Sequence, residues 1–175
     1  MNPSPMSSAI DPDDNDMNLV EIWLRKDPPR WIAGVLAGLL AGAVAMAVAG
    51  LISRAAGFQM LFPLKLMATP FCGPAATDLD AGIGTVLVGL ALIETICAFW
   101  GFVFAHFTGT NSLSALLAMG IVWAAFSWVF LWNLFFQSWK PIFAAQIPAG
   151  VVFPVCLAYG ISLCSVAFFD RMIRS

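Results

Sequence analysis

Charge is what this chain has least of. Lysine and arginine number 8 and aspartate and glutamate 10 in 175 residues, a 10% share where soluble domains carry about 25%. A surface so poor in charge cannot be mainly wet, which excludes an ordinary soluble globule. The formal net charge is −2 and no basic run suits a phosphate backbone, so nucleic acid is not an expected partner. Histidine occurs once, at His106, which leaves haem or metal ligation without a second ligand and makes a hydrogen bond to solvent or backbone the expected role. The four cysteines, Cys72, Cys97, Cys156 and Cys164, form no CxxC and no Cys/His cluster, and read as small packing residues. No nucleophile elbow, HExxH, Walker or dinucleotide fingerprint is present. The sequence therefore points to a protein that is not an enzyme and holds no cofactor or metal.

What is there is apolar. Hydrophobic residues make up 61% of the chain and mean hydropathy is +0.88. Four apolar runs, Trp31–Ile52, Gly82–Phe107, Leu113–Phe136 and Ile147–Phe169, each reach the roughly 20 residues that a helix needs to cross a bilayer. They predict an all-α membrane protein of four transmembrane helices over residues 31–169. Residues 1–17 are rich in Pro, Ser and Asp and read as a disordered acidic tail. Residues 18–27 place Leu19, Ile22 and Trp23 on one face, an amphipathic interfacial helix that Asp27-Pro28-Pro29 then breaks. Residues 170–175 read as a tail that ends the chain in water.

The first span is built on a four-residue step of small side chains. Gly34, Gly38 and Gly42 form GxxxGxxxG, and Ala33, Ala37, Ala41, Ala45 and Ala49 keep the same register. Small residues so spaced let another backbone approach closely, inside the bundle or on another subunit. Between the first two spans, Ser53–Ala81 is a long and partly apolar loop; Pro63 makes it too broken to span, and a re-entrant or interfacial course with Lys65 snorkelling fits it. The third span is dense in aromatics from Trp123 to Trp139, an expected belt at the headgroups, while a pigment- or quinone-binding face is the sharper alternative. Pro154 should kink the fourth span.

Glu94 is the only formally charged residue in the middle of any apolar run. A carboxylate at mid-bilayer costs about 2.5–3.5 kcal/mol on insertion scales, so it must be neutral, paired, or turned to a polar interior. Matching depths brings Gly42, Ser127 and Tyr159 level with it. A hydrogen bond from Tyr159 or Ser127 to Glu94 is therefore expected, with proton or cation passage and contact to a partner subunit as the other readings.

Basic residues number five on the side of the termini (Arg25, Lys26, Arg30, Arg171, Arg174) and three on the other (Arg54, Lys65, Lys140), which places both termini in the cytoplasm. The layout is that of a small multi-pass protein of a bacterial inner membrane. Two classes of function follow. One is a non-catalytic subunit or assembly partner of a larger membrane complex. The other is a small transporter or channel that uses Glu94 and makes up its low helix count as a homo-oligomer.

Overall fold

A computed structural model describes residues 26–131 and 149–175. Its helices in chain order are α1 (Pro28–Ala55), α2 (Phe62–Cys72), a 3-10 turn at Pro74–Thr77, α3 (Ile83–Phe107), α4 (Leu113–Val129), α5 (Ala149–Ser162), a 3-10 turn at Leu163–Ser165, and α6 (Val166–Arg174). No strand occurs among the described residues. Pro28–Ala55, Ile83–Phe107 and the run Gly150–Arg174 are long and apolar enough to cross a membrane, and Leu113–Val129 is a shorter apolar helix. The architecture is that of a helical membrane protein. The acidic tail, most of the amphipathic segment at 18–27 and the expected end of the third span at Phe136 lie outside the described residues.

The Asp27-Pro28-Pro29 triplet starts a helix. Asp27 caps α1, accepting from the Arg30 backbone N–H at 3.5 Å, and the two prolines fill the first positions, where a missing N–H costs nothing. The first span therefore begins at Pro28, three residues before the sequence-based boundary. Pro63 does the same for α2, so part of the expected loop is helical. Pro70 lies within α2 and cannot donate to the Leu66 carbonyl; the Thr69 hydroxyl donates to it instead, at 2.8 Å. Gly73, at φ +76°, then ends the helix in the left-handed region.

Lys65 does not snorkel. It is 4% exposed, and its ammonium donates to Gln59 Oε1 at 2.9 Å and to the carbonyls of Asp78 and Leu79 at 2.9 and 3.2 Å. Three donors meet three acceptors, and the segment that follows α2 is tied back to its first turn.

α1 is the centre of the bundle. It packs on α3, α5 and α6, while α2 rests on α3 and α4 on α5. The small-residue register explains the first contact. A Cβ added at Gly34 would lie 2.6 Å from the Gly101 carbonyl oxygen, and one at Gly38 would meet Ala98 Cα at 3.1 Å and overlap the Cys97 carbonyl. The alanines of the same stripe, Ala33, Ala37, Ala41 and Ala45, are buried in the core beside Phe104, Leu116, Tyr159 and Leu163. Gly89 lies under the Leu64 carbonyl, and Gly120 faces Gly160, so the α2–α3 and α4–α5 contacts use the same device. α3 and α4, adjacent in sequence, meet instead through large rings: Trp123 is edge-on to Trp100 and Phe104, with centroids 5.6 and 5.8 Å apart.

One end of the bundle is closed by a polar clasp. Arg30 is 5% exposed and donates to the carbonyls of Thr108 and Thr110 (2.9 and 2.7 Å), to Asn111 Oδ1, and to Asp170 Oδ2 at 3.3 Å. Asn111 donates to the same Asp170 oxygen at 3.0 Å. Arg174 bridges Asp170 (2.9 Å) and Asp27 (2.6 and 2.7 Å). Asp170 is thus 2% exposed and lies in a helix that runs on to Arg174, not in a solvated tail. The clasp ties the start of α1, the α3–α4 turn and the end of the chain together.

The close α1–α3 contact predicts an asymmetry between neighbouring residues. Gly38→Leu is expected to lower the thermal midpoint in mild detergent by an amount equivalent to about 1–3 kcal/mol or more, as overpacking does. Leu39→Ala, at a position 38% exposed, is expected to change it far less. Equal effects would mean that the glycine face does not carry the contact.

Candidate site at the intramembrane carboxyl

Glu94 sits near the middle of α3, where the helix crosses the glycine face of α1. Its Oε2 atom is buried against Gly42: a Cβ on that glycine would lie 2.9 Å from Oε2 and 2.9 Å from the Cβ of Cys97. Gly42 thus provides the space that the carboxyl occupies. The side chain as a whole is half-buried, so part of it reaches the outer surface of the bundle.

The expected partners do not pair with it. The Tyr159 hydroxyl, buried in the same region of the core, donates to the Cys97 backbone carbonyl at 2.8 Å. A phenol has one proton to give, and the carbonyl that takes it lies one helical turn beyond Glu94. Ser127 lies on α4, which docks on α5, and no hydrogen bond joins it to Glu94. Thr95, the next residue, donates to the Ala91 carbonyl at 2.7 Å. Among the described residues Glu94 Oε2 has no hydrogen-bond partner and no salt bridge reaches the carboxyl.

The contrast with the remaining buried charges is direct. Arg30, Asp170 and Lys65 are each held by several partners within the chain. None of these three contacts was expected from the sequence: Arg30 and Asp170 are 140 positions apart, and the acceptors of Lys65, though only 6 to 14 positions away, are a side chain and two backbone carbonyls that no motif marks. The one available signal was composition: a charge that stands beside a long apolar helix in a chain with so few charges.

His106 is half-buried, and its Nδ1 accepts from Trp31 Nε1 at 3.2 Å. No group of three or more metal-ligating side chains occurs among the described residues. A crevice of about 250 Å³ lies between α3 and α4 and is lined by Phe104, Phe107, Thr108, Met119, Val122 and Trp123. It is apolar and does not include Glu94. Gly34, Gly38, Gly42 and Glu94 are thus brought together on one seam, Tyr159 is near but otherwise bonded, and Ser127 is on another helix.

No family model matches this chain, and no curated protein and no solved structure matches it either.

The orphaned carboxyl gives a prediction of unusual sign. With no partner among the described residues to lose, Glu94→Leu in the isolated chain is expected to leave the thermal midpoint in mild detergent unchanged or to raise it, since it removes a desolvated polar group. A fall equivalent to about 1–3 kcal/mol would reveal an internal partner orphaned by the substitution.

Proposed function

We propose that this chain is a non-catalytic subunit or assembly partner of a larger membrane complex. In this reading it crosses a bacterial inner membrane four times with both termini in the cytoplasm. The basic residues support the orientation, five of the eight standing at the end where α1 starts and the chain finishes.

The observation that carries the proposal is the state of Glu94. The chain satisfies Arg30, Lys65 and Asp170 from its own groups, but among the described residues the mid-span carboxyl has no partner. An ionisable group at that depth is costly and is kept where it meets something. An incomplete polar contact on the side of a bundle is what one member of an assembly presents when seen alone.

Transport through a homo-oligomer is the second reading, and the mid-span carboxyl is what favours it. Against it, the hydroxyls of Tyr159 and Thr95 both give their protons to backbone carbonyls and not to Glu94.

Solubilising the native membrane in mild detergent and measuring the size and composition of the tagged, full-length chain separates the two. A stoichiometric complex with a different membrane chain is expected. A homo-oligomer with no other component would move the weight to transport, and a free monomer would overturn both.

A further inference from the structure

We propose that Glu94 is the seat for a transmembrane helix of a different chain, one that carries a lysine or arginine at mid-span. The inference rests on the reading of this chain as a complex subunit and names the chemistry of the partner.

The geometry first fixes a face. Leu87, Leu90 and Ala91 precede Glu94 by seven, four and three residues, so they share its side of α3. All three are exposed, and Glu94 is partly so. Ala91 adds a small side chain one turn from the carboxyl, which permits a close approach. One carboxyl oxygen, Oε2, is turned inward against Gly42 beside Cys97, and the half-buried side chain leaves the remainder of the group at the bundle surface, held in a supported position.

Charge then selects the occupant. In a medium that solvates no ion, a carboxylate is stabilised by an opposite charge at its own depth. A second copy of this chain cannot supply one, because none of its eight basic residues falls in the middle of an apolar run. The cation must come from another polypeptide. A basic residue alone at the middle of a helix has the mirror-image problem, and the pair resolves both. Such a contact selects partners as well as holding them, since either helix alone is penalised.

The test uses the full-length, donor-labelled protein in phosphatidylcholine vesicles with acceptor-labelled designed peptides. Each peptide is a leucine/alanine transmembrane helix with Lys, Gln or Leu at its centre. Energy transfer is expected to report association of the Lys peptide roughly tenfold tighter than that of the Leu or Gln peptide, the scale of a polar contact in a membrane. Glu94→Gln, verified as folded by its circular dichroism, is expected to reduce the Lys peptide to the level of the Leu peptide. Equal binding of the Lys and Leu peptides overturns the proposal. So does binding of the Gln peptide equal to that of the Lys peptide, which would mean a neutral hydrogen bond, or survival of the Lys preference in Glu94→Gln. If that variant fails to fold, the three peptides on the unaltered protein decide the matter alone. Its failure is separable from that of the functional reading: a chain that migrates in a heteromeric complex yet shows no Lys preference loses only the site.

Discussion

The near contact of two backbones, α1 on α3, is the constraint on which the rest of this structure depends. In a bilayer, burying a leucine against another leucine gains little over leaving it in lipid, so helices associate through packing and polar contacts. Gly34 and Gly38 bring α1 within van der Waals range of the Gly101 and Cys97 carbonyls, and the alanine stripe beside them opens the other flank of α1 to α5. Further along the same seam, Gly42 leaves space for side chains, and those of Glu94 and Cys97 fill it. The candidate site is therefore a consequence of the packing and not an addition to it.

Polar groups define the two ends and the exception in the middle. Arg30, Asn111 and Asp170 close the end at which α1 starts and the chain finishes, with Arg174 and Asp27 outside them. Lys65 fixes the segment beyond the other end of α1 through carbonyls of the connection to α3. Each of these charges sits among several acceptors or donors, as burial demands. Glu94 has no such partner among the described residues, which is why a partner chain is the more economical reading of its position.

The long spans were legible in the sequence because run length and hydropathy alone decide them in a chain so poor in charge. The glycine register was legible too, since a four-residue step of small side chains can be read without a structure. Proline marks helix starts as well as breaks. At Asp27-Pro28-Pro29 and at Pro63 it marks a first turn, and only the residues that follow distinguish a helix start from a break. The clasp and the Lys65 site were not legible. Asp170 reads as the start of a solvated tail until Arg30 and Asn111, distant in sequence, are placed beside it. Depth matching put Tyr159 near Glu94, but depth does not say which acceptor takes the phenol proton, and the Cys97 carbonyl does.

The central claim is that Glu94 meets a second chain, and a site-specific cross-link measures that directly. A photoreactive residue at Ala91, one turn from the carboxyl on the same exposed face, is compared in native membranes with one at Val122, 69% exposed on α4. The Ala91 position is expected to give one discrete protein adduct, a different chain, whose yield falls when Glu94→Leu is added, while Val122 gives lipid adducts. Lipid adducts alone at both positions, or a protein adduct at Ala91 indifferent to Glu94→Leu, would contradict the claim.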